Sequence, residues 1–215
     1  MKKNSIFKFE RALQVLMILS IIIIILLGPL YIFAFNKSYF LKQLEKNTDS
    51  TISYEEKVSL TNNVIDYLKG NTELSTKFNE REKKHMQDVK NIFDVSRLLF
   101  IISLATILLS FGFYYNKDKL KMIKPIFIGS IVSGIFLFFI AISSIFSFVY
   151  SFEVFHNIFF KEGTWLFYTD DLLIILFPET FFSNISVNIF ITGFILSLLI
   201  AITAFFTIKE KKTKK

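Results

Sequence analysis

Four long apolar segments without a single charged side chain constrain this 215-residue sequence more than any other feature. They comprise residues 12–35, 98–115, 126–150 and 185–208, which are 24, 18, 25 and 24 residues long. Crossing the hydrocarbon core of a bilayer takes about 20 helical residues, and an isolated spanning segment satisfies its backbone polar groups only as a helix. The sequence therefore predicts an all-α membrane protein with four transmembrane helices.

The first apolar segment follows a short basic tail, as the core of a secretory signal peptide would. Its 24 residues exceed the roughly 7–15 residues of a signal core, and no A-x-A cleavage pattern follows it. We therefore expect this segment to be retained as the first transmembrane helix.

Lysine and arginine are distributed unevenly among the connecting segments. The tail 1–11, the linker 116–124 and the tail 209–215 together hold 13 of the 25 basic residues in only 27 positions. The two long connections, 36–97 and 151–184, hold the other 12 in 96 positions. The positive-inside rule predicts cytoplasmic tails and a cytoplasmic linker, so the first and third loops would form a small extracytoplasmic cap. The net charge of +7 thus reflects topology and does not indicate nucleic-acid binding.

Two helix-start signals occur in the first cap segment. Ser53 and Glu56 form a capping box, and Gly70 is a suitable C-terminal stop for the helix that they begin. Asn79 and Glu82 repeat the pattern and predict a second helix that runs towards the second span.

The second cap segment, 151–184, is rich in aromatic residues, since 10 of its 34 positions are Phe, Tyr or Trp. Such residues are typical of a belt at the bilayer interface, but they would also suit a pocket for acyl chains. Its apolar run 172–177 is too short to cross a bilayer. We expect this run to lie at the membrane interface or to re-enter between the helices.

His85 and His156, the only histidines, lie in different cap segments. Histidine is the side chain whose charge ordinarily changes near neutral pH, which makes both candidates for acid–base work. Glu82 and Asp88 stand three residues before and after His85, on the same face of a helix. Either carboxylate would be able to hold one ring nitrogen and leave the other basic.

Several other chemistries lack the residues that they need. The chain has no cysteine, which excludes disulfides, thiolate metal sites and a cysteine nucleophile. It also contains no G-x-S-x-G hydrolase motif, no H-E-x-x-H zinc motif and no phosphate-binding loop. No charged side chain in the four apolar segments marks an ion pathway. Any chemistry is therefore expected in the cap.

Two segments of the chain carry a family resemblance. They read E-R-E-K-K-H-M-Q-D-V-K at residues 80–90 and F-H-N-I-F-F-K-E-G-T-W-L-F at residues 155–167, the latter followed by L-I-I-L-F-P-E-T-F-F. In this order and topology the chain resembles the bacterial lipoprotein intramolecular transacylase family over its whole length. The resemblance implies a multi-pass protein of the bacterial cytoplasmic membrane, with both termini inside and an active site on the outer face.

The resemblance also implies a reaction. The family moves the sn-2 acyl chain of a lipoprotein's diacylglyceryl group onto the α-amine of the same N-terminal cysteine, which yields an N-acylated lyso-form lipoprotein. It implies His85 and His156 as the catalytic pair. Since forming an amide from an ester is downhill, no cofactor and no metal is expected. Diacylated lipoproteins and membrane lipid are the expected partners, and no sequence feature indicates an oligomeric state.

We hypothesise that His85, supported by Asp88 or Glu82, acts as the base and His156 as the acid, with the reverse assignment open. The candidates for an acyl-chain pocket are aromatic residues of the second cap segment, for which a role in the interfacial belt is equally open: Phe155, Phe159 and Trp165.

Two other functions stay open from the residues alone. One is a metal-dependent membrane hydrolase that uses both histidines and the cap carboxylates. The other is a non-catalytic membrane adaptor whose cap binds a partner and whose histidines are structural.

Overall fold

The computed structural model describes residues 2–115, 117–161 and 163–213. Within these ranges the chain forms helices and no strand, which confirms the predicted all-α class. The helices are α1 (Lys2–Ala34), α2 (Lys37–Leu44), α3 (Tyr54–Lys69), α4 (Glu80–Tyr114), α5 (Lys119–Phe146), α6 (Phe148–Phe159), α7 (Leu172–Leu176) and α8 (Glu179–Thr213).

Four of these helices, α1, α4, α5 and α8, are long and apolar enough to cross a membrane, as predicted. Helix α4 has 35 residues, and nine of its first 18 are Asp, Glu, Lys or Arg. At 1.5 Å per residue it is about 50 Å long, well beyond the roughly 30 Å of a hydrocarbon core. Its charged first half, residues 80–97, therefore lies outside the membrane-spanning segment.

One of two compact units comprises the described parts of residues 1–30, 96–141 and 190–215. Its helices approach each other closely at small residues. A Cβ added at Gly129 would lie 2.9 Å from the Ile18 carbonyl oxygen, and one added at Gly134 would lie 2.8 Å from the Ser197 hydroxyl oxygen. Close approach at glycine and serine is how membrane helices gain packing contacts in an apolar solvent.

The second unit comprises residues 31–95 and 142–189 and contains the helix caps predicted from the sequence. The Ser53 hydroxyl accepts a hydrogen bond from the Glu56 amide at 3.2 Å, and Gly70 ends α3 with a left-handed φ of 82°. The Asn79 side chain accepts from the Glu82 amide, and the Glu82 carboxylate accepts from the Asn79 amide at 2.8 Å. Both predicted helix starts are therefore confirmed, and the reciprocal pair of bonds of a capping box is present at Asn79 and Glu82.

The apolar segment 126–150 was predicted as one span, but the structure divides it. Helix α5 ends at Phe146, Ser147 adopts an extended conformation, and its hydroxyl accepts from the Tyr150 amide at the start of α6. A serine side chain that bonds a nearby amide competes with the continuing helix, which explains the break inside an uninterrupted apolar run. Helix α6, which carries His156, is consequently a separate element.

The run 172–177 packs into a protein core, and its predicted position relative to the membrane stays a prediction. Residues 172–176 form α7, and Leu173, Leu176 and Phe177 are buried in the core of the second unit. The apolar stripe of α3 belongs to the same core and packs against α2. The buried members of that core are Phe40, Leu60, Val64, Ile65, Leu68, Phe78, Met86, Leu173, Leu176, Phe177, Phe181 and Ile185.

Candidate active site

The two histidines are brought together inside the second unit. His85 lies in the second turn of α4, and His156 lies near the end of α6. Their ring centroids are 6.3 Å apart with the planes inclined by only 21°, and each residue is 8% exposed. Two side chains from different loops thus form one buried imidazole pair.

The hydrogen bond of His156 determines which of its ring nitrogens is basic. Nδ1 lies 2.8 Å from the carbonyl oxygen of Phe152, one turn earlier on α6. Because a carbonyl only accepts, Nδ1 must carry the hydrogen, and the neutral ring presents its lone pair at Nε2. Burial lowers the pKa of His156, and the bond to Phe152 raises it in partial compensation.

His85 is the more strongly perturbed of the two. Burial and, to a smaller extent, the electrostatic effect of His156 together lower its pKa to about 4. Its Nδ1 is buried and has no hydrogen-bond partner among the described residues. Both rings are therefore neutral at pH 7. Because each positive ring would repel the other, the two histidines are not both protonated to imidazolium at the same time.

Aromatic rings enclose both imidazoles. Phe160 and Phe167 pack against His85 with centroid separations of 4.7 Å and 5.3 Å. Phe152 and Trp165 pack against His156 at 4.0 Å and 4.8 Å. These rings remove water from the histidines, which is the physical cause of the lowered pKa values.

All three aromatic residues predicted for the pocket lie around His156. Trp165 contacts its ring directly, Phe155 lies 5.4 Å from it, and Phe159 lies 4.8 Å from Phe155. Phe155 and Phe159 are 48% and 51% exposed, so they offer apolar surface beside the buried pair.

Sequence reasoning missed the three rings that complete the enclosure, Phe152, Phe160 and Phe167. The first two stand four residues before and after His156. A spacing of four residues on a helix brings side chains onto one face, so this signal was available for Phe152 and Phe160. Phe167 lies in an irregular loop, where no periodicity points to it.

The carboxylates of Glu82 and Asp88 were predicted to support His85, but the structure places other groups around them. Glu82 is 1% exposed, and its oxygens accept hydrogen bonds from the Asn79 amide at 2.8 Å and the Leu173 amide at 2.7 Å. Asp88 is half-buried, and neither carboxylate bonds His85 within the described part of the chain. Glu82 thus accepts hydrogen bonds from Asn79, just before α4, and from Leu173, in α7, and these bonds hold α7 at the start of α4.

A second buried carboxylate, Asp171, reinforces this attachment and was not singled out from the sequence. Its oxygens accept from the Asn79 side-chain amide at 2.6 Å and the Tyr168 backbone amide at 2.7 Å. We call Asn79, Glu82 and Asp171 the carboxylate latch. An acidic residue just before an apolar run is a common helix start, and that signal was present at Asp171.

No group of three His, Asp or Glu side chains suited to a metal ion occurs among residues 2–115, 117–161 and 163–213. The candidate site as described consists of two imidazoles, an indole and phenyl rings.

Comparison with known proteins assigns the chain to a family. Residues 12–182 match the model of a protein family described as lipoprotein intramolecular transacylase Lit. This match covers far more than half of the sequence. The chain belongs to the lipoprotein intramolecular transacylase family.

Solved structures of membrane-integral Lit from Bacillus cereus share the fold of this transacylase-family chain. One has a TM-score of 0.84 at 19% identity and covers 96% of this chain and 99% of its own. A variant with one histidine replaced by arginine has a TM-score of 0.78 at 20% identity, with coverage of 100% and 99%. A variant with a histidine replaced by alanine gives 0.78 at 19% identity, with coverage of 99% and 100%.

A relative by sequence is an uncharacterized protein of Aquifex aeolicus strain VF5. It is 28% identical to this transacylase-family chain over 137 residues, which are 64% of this chain. The matched region spans 61% of that relative's length.

Proposed function

We propose that the protein is a lipoprotein intramolecular transacylase. It would move the sn-2 acyl chain of a bacterial diacylglyceryl-cysteine lipoprotein onto the α-amine of the same cysteine. The observation that carries the proposal is the buried pair of His85 and His156, 6.3 Å apart between ring centroids, in a member of the transacylase family. The Bacillus cereus protein has also been solved with a histidine replaced by arginine or by alanine, which supports a functional role for histidine in this fold.

The chemistry requires proton transfer and confinement. The amine attacks an ester carbonyl of its own molecule through a medium-sized ring made of N, Cα, Cβ, S, two glycerol carbons, the ester oxygen and the acyl carbon. Closing such a ring freezes many torsions, and a confining apolar pocket recovers part of that entropic barrier. Proton transfer by a positioned histidine accelerates a reaction by roughly 10²–10⁴-fold.

We assign the base to His156, which reverses our sequence-based hypothesis. The bond from Nδ1 to the Phe152 carbonyl supports this assignment, because it leaves Nε2 as the acceptor of the neutral ring. The amine loses its proton to Nε2 as its nitrogen bonds the acyl carbon. His156, now an imidazolium, passes that proton to the neutral His85, and His85 delivers a proton to the glyceryl oxygen as the ester C–O bond breaks, so both rings end neutral.

The lowered pKa values fit this role. An α-amine ordinarily titrates at about 7.7–8.0, so part of it is uncharged at pH 7. Burial keeps both histidines neutral at that pH, and a neutral imidazole is available to take the amine's proton. No step requires a cofactor.

We assign the substrate's acyl chains to the aromatic surface around His156. Phe155 and Phe159 are half exposed and adjacent, and Trp165 contacts the imidazole directly. Large apolar rings bind alkyl chains mainly through the area that they remove from water. The partners of this site would be diacylated lipoproteins, delivered within the membrane.

We further propose that the protein is oriented with both tails and the linker 116–124 in the cytoplasm of a bacterial cell. The 13 basic residues concentrated in these segments support this orientation. The residues of the candidate site, which belong to the long connections, would then face the outer side of the plasma membrane.

The reaction is tested with purified protein, EDTA and a synthetic diacylglyceryl-cysteinyl lipopeptide. The transfer is isomeric, so the product must be fragmented by mass spectrometry to locate the acyl group on the amine. We expect transfer by the wild type and its loss in His85→Ala and His156→Ala. Matched controls are Gln87→Ala and Asn157→Ala, exposed positions on the same two helices, which should retain activity.

The same assay, run both with and without EDTA, separates the other two functions. Loss of an acyl group to water, abolished by EDTA, would replace the transacylase by a metal-dependent hydrolase. An inert wild type, combined with full complementation of a deletion strain by the double histidine variant, would favour a non-catalytic adaptor.

A further inference from the structure

The indole nitrogen of Trp165 is a buried hydrogen-bond donor without an acceptor among the residues that the structure describes. Nε1 is shielded from solvent, and none of the described residues accepts its hydrogen. Tryptophan Nε1 only donates, and a buried donor left unpaired costs about 1–3 kcal/mol. The same ring packs on His156 with 4.8 Å between centroids, so this unpaired donor lies in the candidate site.

The surrounding loop is well bonded, so poor packing does not explain the unpaired donor. The Thr164 hydroxyl donates to the Lys161 carbonyl at 2.8 Å, and the Tyr168 amide donates to Asp171 at 2.7 Å. The Leu166 carbonyl accepts from Arg81 at 3.4 Å. Thr164 and Leu166, on either side of Trp165, thus have hydrogen-bond partners, whereas the indole N–H finds no acceptor within residues 2–115, 117–161 and 163–213.

The proposed reaction creates such an acceptor. When the amine nitrogen bonds the acyl carbon, the carbonyl π electrons move to oxygen and leave a negative charge there. That charge persists until the C–O bond to glycerol breaks and the carbonyl re-forms. A preorganised donor in a water-excluding site stabilises this oxyanion more in the transition state than it stabilises the ester in the ground state.

We propose that Trp165 donates its indole N–H to the oxyanion of the tetrahedral intermediate. This inference rests on the proposed function and deepens it. Both histidines are already engaged in proton transfer, so the oxyanion needs a separate hydrogen-bond donor. It changes the role expected for Trp165 from apolar lining to catalytic residue. The ligand group that it recognises is an ester carbonyl oxygen that becomes an oxyanion.

The decisive variant is Trp165→Phe, which keeps an aromatic ring and removes the donor. We expect kcat to fall by roughly 10²–10³-fold, the usual effect of removing one oxyanion donor, with KM little changed. Tyr168→Phe is the matched control, since it removes a polar hydrogen from an exposed ring three residues away and should retain the wild-type kcat. A Trp165→Phe enzyme with wild-type kcat would overturn the proposal.

A graded test avoids any change of shape. The chain contains one tryptophan, so fluorinated tryptophans supplied to an auxotrophic host alter Trp165 alone. Fluorination makes the indole N–H more acidic, and a better donor should raise kcat in order of acidity. This series also tests the donor role of the Trp165 indole N–H if the Trp165→Phe variant does not fold. A kcat that does not follow acidity would leave the ring as apolar lining and contradict the proposal.

A binding measurement separates this inference from the proposed function. With ¹⁵N-labelled tryptophan the protein gives one indole resonance, and we expect a downfield shift when a lipopeptide phosphonate presents its anionic oxygen. If the wild type does not transfer acyl groups, the proposed function fails whatever this resonance does. If the wild type is active but the resonance does not respond to the bound phosphonate, only the role of Trp165 fails.

Discussion

The carbonyl of Phe152 and the rings around His85 set the chemistry of the histidine pair through two elementary effects. A hydrogen bond of 2.8 Å selects the tautomer of His156, and burial lowers the pKa of both rings. The sequence identified the two titratable side chains. It did not reveal that both are neutral, because desolvation depends on groups that the folded chain brings from elsewhere.

At this scale we expect stability to decrease as the pH falls from about 6.5 to about 4. The pKa of His85 is 6.5 ordinarily and about 4 in the folded protein, so the unfolded chain takes up the proton first. The contribution of neutral His85 is therefore complete above the higher value and is lost progressively below it. A shift of this size corresponds to about 3 kcal/mol. Thermal unfolding in detergent, followed from neutral to acidic pH, measures it.

The control for this prediction is His85→Phe, which keeps a ring between Phe160 and Phe167 but does not titrate. Carboxylates also titrate in this range, so the readout is the difference between the two proteins. As the pH falls from about 6.5 to about 4, the wild type should lose about 3 kcal/mol of stability relative to the variant. Parallel curves would mean that His85 is not buried in its neutral form.

At the scale of secondary-structure elements, the carboxylate latch decides where the aromatic loop lies. The carboxylates of Glu82 and Asp171 accept hydrogen bonds from amide groups of Asn79, Leu173 and Tyr168. These hydrogen bonds join the start of α4 to the segment that leads into α7. Trp165 and Phe167 belong to that segment. The capping box at Asn79 was predictable from local spacing, but the bond from Glu82 to Leu173 spans 91 positions and follows no sequence rule.

We expect Glu82→Gln to destabilise the protein by about 1–3 kcal/mol and to lower the transfer rate. The amide keeps a single acceptor oxygen and turns its donor group towards a buried N–H that then lacks a partner. Denaturant unfolding measures the stability, and limited proteolysis at Lys161 reports release of the loop. Glu80→Gln is the control, because that carboxylate is exposed and its surface ion pair with Lys83 contributes at most about 1 kcal/mol. Equal effects of the two substitutions would contradict the latch.

A second element-scale prediction contrasts two glycines of the membrane helices. A Cβ at Gly129 would lie 2.9 Å from the Ile18 carbonyl oxygen, whereas a Cβ at Gly112 would meet nothing within 4 Å. Gly129→Ala should destabilise the protein by about 1–3 kcal/mol, as overpacking does. Gly112→Ala should be neutral or stabilising by up to about 1 kcal/mol, since alanine favours the helix. Melting temperatures in detergent compare the two, and equal shifts would refute the close approach.

At the scale of the whole molecule, the charge distribution predicts the orientation in the membrane. The natural chain has no cysteine, so one introduced cysteine reports its own side without further changes. We expect a membrane-impermeant maleimide added to intact cells to label Thr72→Cys. The matched position is Asp118→Cys in the linker, which should react only after the membrane is opened, and both positions are exposed. The opposite labelling pattern would invert the topology and place the site in the cytoplasm.

The sequence by itself determined the four spans, the helix caps and the two histidines. Spans and caps depend on local rules, because a backbone in hydrocarbon must bond within its own segment and a capping side chain acts within one turn. These rules operate over short distances along the chain, so composition and spacing are sufficient to read them. The division of the third apolar segment at Ser147 shows their limit, since apolar composition alone does not mark the end of a helix.

Only the tertiary structure decided what surrounds the histidines. It brought His85 and His156 together, turned Glu82 towards Leu173, and left the Trp165 indole N–H buried without an acceptor in the described part of the chain. It also buried residues of the run 172–177 in the core of the second unit, a packing partner that the composition of this run did not reveal. Burial, tautomer and unpaired donors are properties of contacts between residues distant in sequence, and such contacts exist only once the chain has packed.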